Sequence, residues 1–188
     1  MPNFSLNLSL SRCLKTSPHS HSTQAMARLI PKKLRNKIAL RILGFTASPE
    51  REKQGTAINH AKNLILVYHG ETEAKYKLVK DIAHYLKKEF GLKRVMRLAY
   101  LDVEEKMTPI WHMRKLESDF FCQSDLNWFS KPVKNVEGFA NEPYDILINL
   151  DPDASIPLDF FVAESKAKMK VSNYSSRRTK DYDILLPP

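Results

Sequence analysis

The feature of the sequence that most constrains the fold is a strand–helix–strand pattern between residues 64 and 101. Residues 64–68 are Leu-Ile-Leu-Val-Tyr, a continuous apolar run typical of a strand that is covered on both faces. Apolar spacing then predicts a helix over 71–90, which ends at Gly91 because glycine tolerates the left-handed conformation. A second strand is predicted over 94–101. This order forms a right-handed crossover between parallel strands.

The rest of the chain continues the alternation of strands and helices. Short apolar runs predict strands over 120–122, 144–150, 168–174 and 182–186. A helix is predicted to start at a cap formed by Asp153 or Ser155 and to run to about residue 167. We therefore expect a three-layer α/β domain with a mainly parallel sheet of about five or six strands, Rossmann-like or flavodoxin-like.

The positive charge of the chain is concentrated at its beginning. The net charge is +9, but residues 1–49 hold eight basic residues and no acidic one, so the rest of the chain is almost neutral. We expect residues 1–25 to be a disordered tail, or a misassigned start that precedes a true initiator at Met26. A basic helix and linker follow over 26–60, and the α/β domain spans 61–188.

The basic helix, predicted over 28–44, is amphipathic. Its apolar residues have near-helical spacing: Leu34, Ile38, Ile42 and Leu43. Two interpretations remain open. The apolar stripe packs on the domain, or the helix lies on anionic lipid or nucleic acid, with Lys33, Lys37 and Arg41 as the surface-binding candidates.

Cysteine content and hydropathy indicate the compartment. Cys13 lies in a polar tail and Cys122 in an apolar run, so we expect no disulfide framework and a reducing compartment. No segment approaches the length of about 20 apolar residues that a membrane span needs. Residues 1–24 lack the apolar core of a secretion signal, although their serine content and lack of acids resemble a transit peptide. The expected location is the cytoplasm.

The loop after the first strand invites comparison with the histidine phosphatases. Residues 68–72 are Tyr-His-Gly-Glu-Thr and resemble the Arg-His-Gly-Glu-Thr signature of that family. Tyr68 stands in place of the arginine that binds the phosphate charge, and it cannot supply a bidentate cation. A dinucleotide fingerprint is also disfavoured, because Gly70 is the only glycine of this turn and because Glu71 and Glu73 would repel a pyrophosphate. We interpret the loop as a strand end and a helix start.

Candidate site residues come mainly from strand ends. In a parallel sheet the carboxyl ends of the strands meet at one edge, where ligands usually bind. His69, Asp102 and Asp151 each follow a predicted strand and are therefore the catalytic candidates. The spacing carries no metal signature, so no metal or cofactor is predicted. A separate basic segment offers the anion-binding candidates Arg177, Arg178 and Lys180.

Four segments of the sequence stand out in combination: residues 125–132 (DLNWFSKP), 144–150 (YDILINL), 165–171 (SKAKMKV) and 182–185 (YDIL). Together they resemble a small family from Bacteroidota that is catalogued only as a domain of unknown function (DUF6913). The resemblance covers about residues 32–186, which supports Met26 as the start. It implies a bacterial cytoplasmic protein and supplies no functional residues.

Three functional hypotheses follow from the sequence. The first is a non-catalytic binding or interaction module, with a protein among its possible partners. The second is an enzyme or degenerate enzyme that uses the strand edge near His69, Asp102 and Asp151. The third is a peripheral protein that binds anionic lipid or nucleic acid through residues 28–44.

Overall fold

A computed structural model describes residues 30–47, 49–112, 114–151, 155–173 and 179–187. Six strands form one sheet, and every pair of neighbouring strands is parallel. The strands are β1 (Asn63–His69), β2 (Arg94–Leu101), β3 (Ser118–Cys122), β4 (Ile146–Asn149), β5 (Met169–Asn173) and β6 (Ile184–Leu186). The helices are α1 (Lys32–Phe45), α2 (Glu73–Phe90), α3 (Glu137–Asn141) and α4 (Ile156–Glu164).

The sheet confirms the predicted fold class. Its strand order is β3-β2-β1-β4-β5-β6. Of the two arrangements expected from the sequence, this is the Rossmann-like order, in which the chain reverses direction across the sheet between β1 and β4. Ligands of such sheets bind outside the carboxyl ends of the strands near this reversal.

Helix α2 begins and ends through local chemistry. The Thr72 hydroxyl accepts a hydrogen bond from the Lys75 backbone N–H at 3.2 Å, so the helix starts at Glu73 rather than at residue 71. Gly91 ends the helix in the left-handed conformation, with φ of 65°, as predicted. The helix buries one face on the sheet through Val79, Ala83 and Leu86.

Helix α4 is buried on all sides, because it lies between the sheet and α1. Leu158, Phe161 and Val162 pack towards the sheet. Phe160 and Ala163 point the other way and form a separate apolar cluster with α1. Most residues of α4 are apolar and buried, so the helix needs cover on both faces, and α1 supplies it on the face away from the sheet.

The buried face of α1 matches the expected apolar stripe at Ile42 and Leu43 but not at Leu34. Ala39 and Leu43 are buried against α4, whereas Leu34 is 51% exposed. The helix also continues past Gly44 to Phe45. Alanine is small enough to let α1 approach Phe160 of α4 closely. The face of α1 that is buried therefore depends on its fit against α4 and not on the hydropathy of α1 alone.

The linker after α1 contacts the end of the chain through Arg51. The Arg51 guanidinium binds both carboxylate oxygens of Asp183, at 2.7 and 2.8 Å, and the backbone carbonyl of Lys168 at 2.7 Å.

Within the described residues, none of the helices has both the length and the apolar character needed to cross a bilayer.

Candidate functional site

A cavity of about 270 Å³ lies at the carboxyl ends of β1 and β2. One part of its lining comes from the end of β1 and the loop after it, and the other part from the end of β2 and the segment after it. We call it the edge cavity. Its lining residues are His69, Gly70, Glu71, Leu101, Asp102, Val103 and Pro109.

His69 is the last residue of β1 and is held on two sides. Its ring stacks on the Tyr100 ring, with centroids 5.4 Å apart and planes at 20°. Its Nδ1 lies 3.0 Å from Oε1 of Glu71. When Nδ1 carries the proton and donates to Glu71, Nε2 of the neutral imidazole is a hydrogen-bond acceptor.

Asp102 follows β2 and is fixed by two donors. The Tyr100 hydroxyl and the Gln123 side-chain amide each donate to its Oδ1 at 2.9 Å. Partial burial alone would raise the pKa of Asp102, but the hydrogen bonds from Gln123 and Tyr100 and the charge of Lys32 outweigh it, so the pKa is lowered. Asp102 is therefore a carboxylate at neutral pH.

Tyr100 joins the two candidate residues. Its ring is 4% exposed and lies against His69, while its hydroxyl reaches Asp102. Burial, and next the negative charge of Asp102, raise the pKa of Tyr100 well above its ordinary value. The hydroxyl therefore stays protonated and donates to the carboxylate throughout the physiological range.

Gly70 is required by close packing rather than by a phosphate. A Cβ at this position would lie 2.6 Å from Cδ2 of Leu101 and 2.8 Å from Nε2 of His112. Both distances are shorter than side chains permit without movement. The glycine thus lets the loop after β1 pass directly over Leu101 and His112.

His112 is a buried residue that the sequence did not single out. It is 5% exposed, and its Nε2 has no hydrogen-bond partner within the described part of the chain. Its ring lies among Tyr68, Tyr76 and Phe120. Burial, together with the positive charge of Arg97, lowers the pKa of His112 to about 4, so the ring is neutral. The His112 ring packs next to Gly70 and does not line the edge cavity.

The packing of Tyr68 agrees with the exclusion of a phosphatase pocket. Tyr68 is 1% exposed and belongs to the core between the sheet and α2. The position that would carry a phosphate-binding arginine therefore points into the interior, away from the neighbouring His69.

Asp151 is separate from the other two strand-end candidates. Its Oδ2 accepts hydrogen bonds from the backbone N–H and the hydroxyl of Ser155, at 2.8 and 2.5 Å. Ser155 precedes α4, so the carboxylate stabilises the start of that helix. Asp151 is 1% exposed and is not among the residues that line the edge cavity.

The described residues were expected to lack a metal site, because the sequence shows no metal-ligand spacing. These residues contain no group of three or more histidine, cysteine, aspartate or glutamate side chains arranged to hold a metal ion.

The basic candidates lie elsewhere. Lys33, Lys37 and Arg41 are exposed on α1. Lys180 is also exposed, and its ammonium is 3.3 Å from the Gly44 carbonyl oxygen at the end of α1. Arg177 and Arg178 fall outside the described residues.

Comparison with known proteins gives one match. No curated protein and no solved structure is similar to the chain. The model of a family of unknown function (DUF6913) matches residues 32–187, which span every strand and helix described above. The chain therefore belongs to the DUF6913 family.

Proposed function

We propose that this protein is a non-catalytic binding module that holds a small organic cation in the edge cavity. The observation that supports this proposal is the cavity itself, which lies at the carboxyl ends of β1 and β2, next to the β1–β4 reversal rather than in it. A cytoplasmic setting belongs to the same proposal and is supported by the buried free thiol of Cys122.

The size of the cavity limits the ligand. Its 270 Å³ lies at the small end of ligand pockets and corresponds to the volume of about nine water molecules in the liquid. Leu101, Val103 and Pro109 supply apolar wall on one side. A ligand of this size has a short apolar body and one or two polar groups.

The polar groups of the cavity favour a ligand that donates hydrogen bonds. Asp102 and Glu71 are carboxylates, and Nε2 of His69 accepts when Nδ1 donates to Glu71. The ammonium of Lys32 lies 3.9 Å from Oδ2 of Asp102, so this carboxylate already attracts a cation of the chain. An amine or guanidine therefore fits the site better than a carboxylate or phosphate does.

The arrangement of His69 also supports a second candidate, a general base. Glu71 contacts Nδ1 of His69 at 3.0 Å, which is how a carboxylate orients a histidine that removes protons through Nε2. We place this enzyme hypothesis second, because Asp102 is held by Tyr100 and Gln123 and Asp151 lies outside the cavity.

Calorimetric titration with small molecules tests the proposal. The probes are ethanolamine, putrescine and histamine, with acetate, malonate and glycerol as comparators of similar size. We expect at least one amine to bind and the acids to show no heat of binding. The Asp102→Asn variant should weaken that binding about ten- to a hundredfold, as expected for the loss of a charged hydrogen bond.

A matched variant controls for overall charge. Asp81→Asn removes the same charge from an exposed position on α2, away from the cavity, and should leave binding unchanged. Binding of acetate or malonate in place of the amines would contradict the proposal, and so would equal weakening by both variants. Chemical turnover of a bound amine, lost in His69→Gln, would favour the enzyme hypothesis.

A further inference from the structure

The outward face of α1 carries three cations in a row. Lys33, Lys37 and Arg41 follow one another at intervals of four residues, so they lie on one face of the helix. All three are exposed, whereas Ala39 and Leu43 on the opposite face are buried against α4. The cations are therefore presented to solvent by a helix that is already docked on the domain.

A fourth cation reaches the same helix from the far end of the chain. Lys180 places its ammonium 3.3 Å from the carbonyl oxygen of Gly44. Stabilisation of the helix end accounts for this contact by itself. It also adds an exposed cation at the carboxyl end of α1. We call Lys33, Lys37, Arg41 and Lys180 the basic face.

The charge of the basic face is not neutralised locally. Residues 30–47 include no acidic residue. Within the described residues, Lys33, Lys37 and Arg41 form no ion pair, in contrast to Lys32, which lies next to Asp102. Such an uncompensated row of cations attracts an anionic surface over roughly a Debye length, about 8 Å at physiological salt.

Large apolar side chains flank these cations. Leu34 is 51% exposed, Leu40 is 37% exposed and Phe45 is 83% exposed. Each is three or four residues from Lys37 or Arg41, so it is their neighbour on the helix surface. A surface that contacts only phosphates gains nothing from exposed leucine and phenylalanine, whereas a membrane interface buries them beside the lipid headgroups.

We propose that the basic face of α1 binds the surface of an anionic lipid bilayer. The cations contact lipid phosphates and carboxylates, and Leu34, Leu40 and Phe45 enter the headgroup region. Leu43 and Ala39 keep α1 packed on α4, so the protein binds as a folded unit. This inference is independent of the ligand in the edge cavity.

Vesicle sedimentation of the full chain tests the inference. The probes are vesicles of phosphatidylserine and phosphatidylcholine in a one-to-three ratio, and vesicles of phosphatidylcholine alone, each at low and moderate salt. We expect binding to the anionic vesicles only, weakened as salt rises. The triple variant Lys33→Gln, Lys37→Gln, Arg41→Gln should bind about a hundredfold more weakly, since each cation near such a surface contributes about fivefold.

A matched triple variant controls for the loss of charge. Lys80→Gln, Lys88→Gln and Lys93→Gln remove three exposed cations on and just after α2 and should leave binding nearly unchanged. Equal losses in the two triple variants would overturn the proposal, because binding would then depend only on net charge.

Two further outcomes decide between a membrane and a nucleic acid. The double variant Leu34→Ser, Phe45→Ser keeps every cation and should still lose most vesicle binding. Vesicle binding that survives this change would overturn the membrane assignment, as would binding of the parent protein to a DNA or RNA duplex but not to vesicles. Circular dichroism of each variant shows whether the fold is retained.

Discussion

We expect the buried ammonium of Lys170 to make the stability of this protein rise with pH. Lys170 lies on β5 with its side chain fully buried. Its Nζ donates to the carbonyl oxygen of Val162, near the end of α4, at 2.6 Å. Burial, with a smaller contribution from the charge of Arg51, lowers the pKa of Lys170 from 10.5 to about 8 despite the opposing carboxylates of Asp181 and Asp183.

The sign of the effect follows from proton binding. Between the folded pKa of about 8 and the unfolded value of 10.5, the unfolded chain binds more protons at Lys170 than the folded protein does. The free energy of unfolding therefore rises with pH in this interval. The cost of burying the charge is complete below the interval and is relieved across it. Linkage gives a gain of about 2 kcal/mol between about pH 7 and about pH 9.5.

Urea denaturation followed by circular dichroism measures this gain. The parent protein is compared with Lys170→Met across that pH range, so that the titration of all other groups cancels. The parent should gain about 2 kcal/mol of stability relative to the variant. Lys166→Met changes an exposed neighbouring lysine and should show no such trend.

A pH-independent difference between the parent and Lys170→Met would refute the reasoning. It would mean that Lys170 binds protons equally in the folded and unfolded states, so that burial does not penalise its charge. The ¹³Cε chemical shift of Lys170 in the parent reports the same pKa without any substitution, and a midpoint near 10.5 would give the same refutation.

Two packing predictions can be checked by thermal or urea denaturation. Gly70→Ala should cost about 1–3 kcal/mol, because its Cβ would meet Nε2 of His112 at 2.8 Å. Gly138→Ala, with nothing within 4 Å of the added Cβ, should be neutral or slightly stabilising, and equal effects would contradict the packing argument. Leu43→Ala should cost about 2–5 kcal/mol, because Leu43 is buried against α4. Leu34→Ala should change stability by no more than about 0.5 kcal/mol, and the opposite ranking would place the wrong face of α1 on the domain.

The sequence carries enough information for the sheet and for α2. Continuous apolar runs mark β1 and β4 because both faces of a parallel sheet are covered by helices. Thr72 and Gly91 delimit α2 through local hydrogen bonding and backbone conformation. Such signals act within a few residues of the chain, so they can be read without knowing the tertiary structure.

Other elements depend on partners distant in sequence. The five-residue helix α3 is too short to show a helical period, so its apolar residues do not predict a helix. The exposed face of α1 follows from the fit of Ala39 and Leu43 against Phe160. Hydropathy alone favoured Leu34 for the buried stripe, since it ranks leucine above alanine.

The candidate site was only partly predictable for the same reason. His69 and Asp102 were identified because both follow parallel strands, and both line the edge cavity. Asp151 follows a strand too, but its carboxylate is engaged by Ser155. The role of His112 depends on the irregular segment between β2 and β3, which has no hydrophobic period to predict its contact with Gly70.

Nuclear magnetic resonance offers the most direct test of ligand binding in the edge cavity. The amine that binds most tightly among ethanolamine, putrescine and histamine would be titrated into the ¹⁵N-labelled protein while the backbone amide shifts are followed. We predict that the largest saturable shifts lie at residues 69–71 and 101–103, and that Asp102→Asn reduces them. Saturable shifts confined to another part of the molecule, or shifts at the cavity that Asp102→Asn leaves unchanged, would contradict the proposed cation site.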